Sequence, residues 1–273
     1  MKLPVLLLFG LLTSCVSDDF NNIANGFAPI SPHDAAMMAS NQYDSNKRRE
    51  GITLLANSPF GGAPEYLRLY RDYIEYDRDP LVRSSAIKAL ARFGTVDDAK
   101  LISPWLLMAT TNSVQVRLAS ARALQRLHNP SVVSTLLRSL RNQDEEHQVR
   151  TAVAIALGQY PEKRVYNELI SGLRASDLSI NLASAQSLHV LTGQVFGINW
   201  DEWLLWGDFE SANNGDLFAF QTSYEYPTYQ HQASWWDKVT FWEHRIHERP
   251  DAPAGLKEAT VKSTYDDDAE ISQ

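Results

Sequence analysis

Few side chains in this chain have the types and spacing that chemistry requires. His244 and His247 form the one metal-like pair, and they are weak evidence because catalytic zinc needs three protein ligands. The sequence contains no His-Glu-x-x-His motif, no Gly-rich phosphate loop and no Gly-x-Ser-x-Gly elbow. Cys15 is the only cysteine, so no disulfide can form within the chain. We therefore expect no catalytic residue, no metal site and no cofactor.

The amino terminus has the features of an export signal. After Lys2, residues 3–12 form an apolar run of about ten residues, shorter than the roughly 20 that a membrane-spanning helix needs. The run leads into Leu-Thr-Ser-Cys at residues 12–15, which resembles the lipobox of bacterial lipoproteins. The resemblance implies that residues 1–14 are a signal peptide and that the thiol of Cys15 carries a lipid. The alternative is a secreted protein whose signal merely ends near a cysteine.

The lipobox also implies a location, a membrane of the bacterial cell envelope with the body of the protein facing the periplasm. Val16 stands where inner-membrane lipoproteins of enterobacteria carry aspartate, which favours the outer membrane. Residues 15–46 are rich in Asn, Ser, Asp and Ala, and this composition predicts a lipidated, flexible tether. One short helix is expected near Ala35–Ser40.

An internal repeat is the strongest structural signal. Val82–Leu90 aligns without gaps with Val116–Leu124 and Val149–Leu157, and a fourth copy at Ile180–Leu188 keeps the apolar pattern. A looser copy begins at residue 47. Periods of 31 to 35 residues, as found between these copies, mark solenoids. The residues at the second position of the five copies are Arg48, Arg83, Arg117, Arg150 and Asn181.

Each copy has the pattern of two packed helices. Asp79 and Pro80 predict the start of the first helix, as a capping carboxylate and a proline in the first turn. A second apolar stripe follows, and Pro104 is expected to interrupt the second helix of one unit. The first helix carries its apolar residues on one face: Val82, Ala86, Ala89, Leu90 and Phe93.

The motif Asp-Pro-x-Val-Arg followed by Ala-x-x-Ala-Leu resembles HEAT repeats, particularly the short bacterial kind also found in phycobilin lyases. The resemblance covers about residues 47–206. It implies an all-α fold, a short right-handed α-solenoid of helical hairpins with a Trp-rich carboxy-terminal cap. It also implies that Arg83, Arg117 and Arg150 form an internal ladder by pairing with acidic or carbonyl groups of the adjacent unit. This structural role is favoured over a ligand site.

The segment after the last repeat resembles the closing segment of bacterial HEAT-repeat envelope proteins. It reads Thr-Gly-x-x-Phe-Gly at residues 192–197 and continues with spaced tryptophans. We interpret it as a hydrophobic lid over the open end of the stack, with a sugar- or ligand-stacking platform as the alternative. The tryptophans are Trp200, Trp203 and Trp206.

Residues 207–249 are predicted to be an aromatic-rich extension, followed by a disordered acidic tail at 250–273. Within the extension, Ser234–Glu248 has the pattern of an amphipathic helix. Its apolar side could dock on the repeats, meet a partner or lie on a lipid surface. The candidate interaction residues on that side are Trp235, Trp236 and Trp242.

Charge and motif content narrow the function classes. The formal net charge is −8, spread over a mildly basic body and an acidic tail, and no dense basic stripe favours nucleic acid. We predict a membrane-anchored, non-catalytic scaffold whose concave helix face binds another envelope protein. The alternatives are a glycan- or peptidoglycan-binding module that uses the carboxy-terminal Trp and Tyr residues, and a HEAT-like enzyme such as a lyase, which is least favoured.

Overall fold

The computed structural model describes residues 31–58 and 60–226, and within them every regular element is helical. Eleven α-helices follow one another in this described part, with two short 3-10 helices between them, at Ser103–Leu106 and Pro130–Val132. The α-helices are α1 (Pro32–Ala39), α2 (Ser45–Ala56), α3 (Pro64–Tyr76), α4 (Pro80–Phe93), α5 (Asp98–Ile102), α6 (Val114–Ala123), α7 (Val133–Arg141), α8 (His147–Leu157), α9 (Lys163–Gly172), α10 (Leu178–Thr192) and α11 (Trp200–Ala212).

Local capping sets the helix starts that the sequence predicts. The carboxylate of Asp79 accepts hydrogen bonds from the backbone N–H groups of Leu81 and Val82, and Pro80 occupies the first turn of α4. The carboxylate of Asp177 accepts from the backbone N–H of Ser179 at the start of α10. Each cap satisfies donors that a helix leaves unpaired at its amino terminus. The predicted start of α4 is therefore confirmed.

The helices pack in sequential pairs as a short α-solenoid, as the repeat predicts. The first row contains α2, α4, α6, α8 and α10, and each of these helices packs on the next one in the row. The second row contains α3, α5 with its 3-10 extension, α7, α9 and α11. Each second-row helix before α11 packs most closely on the first-row helix that follows it, and α11 packs on α9. One continuous apolar core results, because the stripe residues Val82, Ala86, Ala89 and Leu90 are fully buried.

Pro104 shortens one second-row helix. Helix α5 ends at Ile102, and the chain continues as the 3-10 helix Ser103–Leu106. Proline lacks the N–H that an α-helical hydrogen bond would use and its ring crowds the preceding turn, so the tighter 3-10 form is expected here. Leu106 at its end is still buried in the core.

The folded body begins earlier than the boundary at residue 47 that the sequence indicated. Helix α1 lies within the predicted tether, and its Ala35 and Ala39 pack into the core. Gly51 of α2 allows this close approach, since a Cβ there would lie 2.1 Å from the backbone nitrogen of Ala39. The hydroxyl of Tyr73 donates to the Ala39 carbonyl at 2.5 Å. The predicted short helix therefore exists, shifted to Pro32–Ala39, and it is part of the solenoid.

The last described residues turn back along the solenoid. Helix α11 continues to Ala212, beyond the predicted boundary at residue 206. Tyr224 and Tyr226 are both buried, and they form a small apolar cluster with Val190 of α10. The remaining residues, 227–273, lie outside the described part of the chain.

Candidate interaction surface

A polar side chain at the same repeat position closes each junction between units. In all five copies it donates to backbone carbonyls at the end of the preceding helix or in the loop that follows it. The Nδ2 of Asn181 and the bonded guanidinium nitrogens of its arginine counterparts thus point at these carbonyls. The acceptors are the carbonyls of Asn41 and Gln42 for Arg48, Ile74 and Asp77 for Arg83, Thr111 for Arg117, Leu140 for Arg150, and Gly172, Leu173 and Ala175 for Asn181.

Two of these arginines also bind a carboxylate from the loop before the next first-row helix. The Nε of Arg117 lies 2.8 Å from Glu145, and both side chains are almost fully buried. The Nε of Arg48 lies 2.8 Å from Asp77, which is buried as well. Arg83 has an aromatic neighbour, because its guanidinium lies 3.9 Å from the centroid of the Trp105 ring. These side chains are committed to contacts between units.

Second-row helices are linked by ion pairs of their own. The Nε of Arg71 in α3 lies 2.6 Å from the carboxylate of Asp98 in α5, and Arg141 in α7 pairs with Glu168 in α9. Burial by itself would raise the pKa of Asp98. Hydrogen bonds from Arg71 and from the backbone N–H of Thr95 outweigh it and hold the pKa of that carboxyl below its ordinary value.

A cleft opens on the second-row face, between the 3-10 helix of one unit and the end of α7 in the next. Its volume is about 220 Å³. Arg138 stands exposed at its rim and makes no ion pair with any residue in 31–58 or 60–226. The Ser139 hydroxyl is buried, and the described residues offer it no hydrogen-bond partner. The lining residues are Leu106, Leu107, Met108, Ala109, Arg138, Ser139, Asn142 and Glu145.

This arrangement suits binding better than catalysis. The apolar side chains of the cleft can hold an aliphatic group, and Arg138 can attract a carboxylate next to it. A general acid–base site would instead need titratable groups facing one another within hydrogen-bond reach. In the described ranges no cluster of three or more His, Cys, Asp or Glu side chains is placed to hold a metal ion.

The aromatic cap is built around Trp203. This side chain is fully buried, its indole Nε1 donates to the Gly197 carbonyl at 2.8 Å, and the ring of Phe196 meets it edge-on at 4.9 Å. The hydroxyl of Tyr166 donates to the Trp203 carbonyl at 2.5 Å and so connects the cap to helix α9. Trp206 is half-buried and its ring centroid lies 6.5 Å from that of Trp203. The buried Trp203 is a packing residue and offers no face to a sugar.

Sequence reasoning missed two surface features. Leu205 and Phe209, one helical turn apart on the outer face of α11, are 71% and 63% exposed. Their spacing was a readable signal, but the neighbouring tryptophans dominated the pattern. The cleft at Arg138 had no sequence signal, because its two walls come from different units.

Several residues singled out in the sequence lie outside the described part of the chain. They include the lipidation candidate and the histidine pair, so the structure does not bear on them. These residues are Cys15, Trp235, Trp236, Trp242, His244 and His247.

Over residues 31–58 and 60–226, the structure has no helix with the length and apolar character needed to cross a membrane.

None of the curated proteins matches this chain. A family model described as HEAT repeats matches residues 102–189, which run from the end of α5 through most of α10. Residues 102–189 are therefore a HEAT-repeat domain, embedded in a longer run of helical pairs.

Proposed function

We propose that this protein is a non-catalytic scaffold, held to an envelope membrane by lipid on Cys15, that binds another envelope protein on its second-row helix face. The HEAT repeats of residues 102–189 support a role in protein interaction. Solenoids of this kind present extended surfaces that suit macromolecular partners. The lipobox supports the anchor, and Val16 favours the outer membrane.

The cleft at Arg138 carries this proposal. The arginines at the repeated position are engaged inside the solenoid, whereas Arg138 is exposed beside an apolar cleft in which the Ser139 hydroxyl has no hydrogen-bond partner among the described residues. An aliphatic side chain next to a carboxylate would fill the cleft and pair with this cation. Arginine is among the residues that most often contribute strongly to a protein interface, and such residues usually lie at well-packed, desolvated pockets.

Photocrosslinking in cells tests the surface. A photoreactive residue at Met108, which is 39% exposed at the cleft, should capture one or two dominant envelope proteins. The same residue at Leu182, 55% exposed on the first-row helix α10, is the matched control and should not capture them. Arg138→Glu should weaken capture from Met108, while Arg122→Glu on α6 should leave it unchanged. Equal capture from both positions, or capture indifferent to Arg138→Glu, would remove the cleft from the proposal.

The anchor is tested separately. Mass spectrometry of the amino-terminal peptide of the mature protein should find diacylglyceryl-modified Cys15, and Cys15→Ser should release the protein from the membrane fraction. An unmodified cysteine, or membrane association that survives Cys15→Ser, would contradict the anchor and leave the scaffold proposal standing.

A further inference from the structure

Helix α11 carries two exposed apolar side chains, Leu205 and Phe209, which we call the apolar ridge. On the opposite side of this helix Gly207 faces α9, because a Cβ on Gly207 would lie 2.7 Å from the Tyr166 hydroxyl. Leu205 and Phe209 each stand two residues from Gly207, and two residues turn an α-helix by about 200°. The apolar ridge therefore points away from α9, in the direction in which the units stack.

Nothing in the described ranges covers the apolar ridge. Helix α11 is the last helix of residues 31–58 and 60–226, and no first-row helix follows it there. The residues after α11 run the other way. The Thr222 N–H donates to the Val190 carbonyl of α10 at 2.8 Å, and Tyr226 covers the guanidinium of Arg126, 5.0 Å from the ring centroid. Terminal units of a solenoid need a polar outer face, so an apolar one indicates a binding surface.

Carboxylates border the apolar ridge on both sides. Asp201 and Asp208 lie four residues before and three residues after Leu205, on one side of it. Glu202 lies three residues before Leu205, on the other side. All three are exposed, and none pairs with a Lys or Arg of the described part of the chain. Residues 193–226 contain six Asp or Glu and no Lys or Arg, so the field at the ridge is negative.

The cations that contact α11 meet its other side. The guanidinium of Arg174 lies 4.6 Å from the ring centroid of Trp200, and the Lys163 ammonium donates to the Ser211 hydroxyl at 3.3 Å. Trp200 and Ser211 stand seven and four residues from Gly207, so both lie on the side that faces α9. These cations therefore leave the carboxylates beside the ridge to a partner.

We propose that the apolar ridge binds a cationic amphipathic helix of another protein. Its aliphatic side chains cover Leu205 and Phe209, and its Lys or Arg residues pair with the three bordering carboxylates. The apolar stripe of such a helix repeats every three to four residues, as the ridge does. The buried Trp203 fixes α11 in the cap, so the ridge is ordered before it binds. This surface is separate from the cleft at Arg138.

Charge selects this occupant over the alternatives. A second copy joined through the same ridge would set its carboxylates against an identical set, and anionic lipid headgroups would be repelled. Residues 227–273 of the chain carry nine Asp or Glu and five Lys or Arg, so their net charge is negative as well. A basic helix both covers the apolar side chains and neutralises the carboxylates.

Fluorescence anisotropy with a defined peptide tests the proposal on the full chain with Cys15→Ser. The probe is a labelled peptide of about 18 residues, long enough to form a helix, with Leu on one face and Lys on the other. A second peptide has Glu in place of every Lys. The protein should bind the Lys peptide at least about tenfold more tightly than the Glu peptide, and added salt should weaken that binding. Equal affinity for the two peptides would overturn the proposal.

Removing the apolar ridge should weaken binding of the Lys peptide. We expect Leu205→Gln with Phe209→Gln to lower the affinity about tenfold. Met37→Gln with Tyr43→Gln is the matched control, because these two side chains are exposed near the opposite end of the solenoid. Circular dichroism checks that helix content is unchanged. An equal loss in the two variants would overturn the proposal, since it would show general stickiness.

Removing the bordering charges should have a similar effect. We expect Asp201→Asn with Asp208→Asn to lower the affinity for the Lys peptide about tenfold. Glu65→Gln with Asp72→Asn on α3 removes the same charge from exposed positions elsewhere and is the control. Equal losses would show attraction to an acidic protein as a whole and would overturn the proposal.

A photoreactive residue at Phe209 identifies the occupant directly. Irradiation with the Lys peptide should give an adduct of the protein with the peptide. A crosslinked dimer in its place would overturn the proposal and give the ridge to a second copy. An intrachain crosslink that persists with the peptide present would also overturn it, and would give the ridge to the same chain.

Discussion

The guanidinium of Arg117 and the carboxylate of Glu145, 28 residues apart in the chain, form a buried bridge with Nε–oxygen distances of 2.8 and 3.0 Å. Their side chains are 3% and 1% exposed. A further nitrogen of Arg117 donates to the Thr111 carbonyl at 3.0 Å. One arginine in α6 therefore joins the loop before its own helix to the loop before α8.

Removing the carboxylate of this bridge should be severely destabilising. Glu145→Ala leaves the Arg117 charge buried without its partner, and we expect the free energy of unfolding to fall by about 3–5 kcal/mol. Lys100→Ala is the control, because Lys100 and Asp97 form an exposed pair at 3.4 Å whose loss costs about 1 kcal/mol or less. Urea unfolding measures both. Similar small losses for the two variants would show that the buried bridge does not stabilise the stack.

Replacing the side-chain donor of Asn181 with an acceptor should destabilise the protein. Its Nδ2 donates to three carbonyl oxygens, of Gly172, Leu173 and Ala175, at 2.9–3.0 Å. Asn181→Asp keeps the size but sets a carboxylate against these oxygens, so we expect a loss of more than about 2 kcal/mol near neutral pH. Thermal unfolding of Asn181→Asp at acidic and neutral pH checks this. Recovery as the new carboxyl is protonated is expected, and a pH-independent loss would contradict the donor role.

Acid should weaken the contact between α3 and α5. The pKa of Asp98 lies below its ordinary 3.8, so the unfolded chain takes up a proton on this carboxyl before the folded protein does. The stability from the Arg71 pair is therefore complete above about pH 4 and is lost as the pH falls through the lower folded value. Unfolding free energies measured from about pH 7 to about pH 3 should fall less steeply in Asp98→Asn than in the wild type. Parallel slopes would refute this assignment.

A methyl group at Gly51 should detach α1. A Cβ at this position would lie 2.1 Å from the Ala39 nitrogen and 2.7 Å from the Ala35 carbonyl oxygen, which are backbone atoms that cannot rotate away. We expect Gly51→Ala to cost about 1–3 kcal/mol and to make the chain before Asp44 sensitive to protease. Glu50→Ala, exposed on the same helix, is the control. Unchanged protection in Gly51→Ala would show that α1 accommodates the added carbon.

The sequence predicted the solenoid well because its signals are local. The apolar pair of Val82 and Leu90 recurs at the same spacing in the next three units, and caps such as Asp79 lie within three residues of the donors they satisfy. Helix content, pairing and period all follow from such short-range patterns. The 3-10 helix after Ile102 follows from Pro104 in the same way.

The sequence could not predict contacts that depend on distant parts of the chain. Glu145 lies in an irregular loop, and no spacing rule identifies it as the partner of Arg117. Helix α1 reads as part of a polar tether until Gly51 reveals how closely it packs. The path of Thr222 to Tyr226 has no periodicity either, because a segment without regular secondary structure leaves no repeating pattern in the sequence.

The reverse course of Leu217–Tyr226 also has a mechanical consequence. A solenoid whose units touch only their neighbours lengthens under tension much as a spring does, by opening each junction slightly. Here the segment Leu217–Tyr226 of the same chain connects the units of Arg126, Gln159 and Val190 along one edge. When the described solenoid is pulled end to end, its carboxy-terminal half is therefore the stiffer half, and most of the extension occurs in the amino-terminal helix pairs.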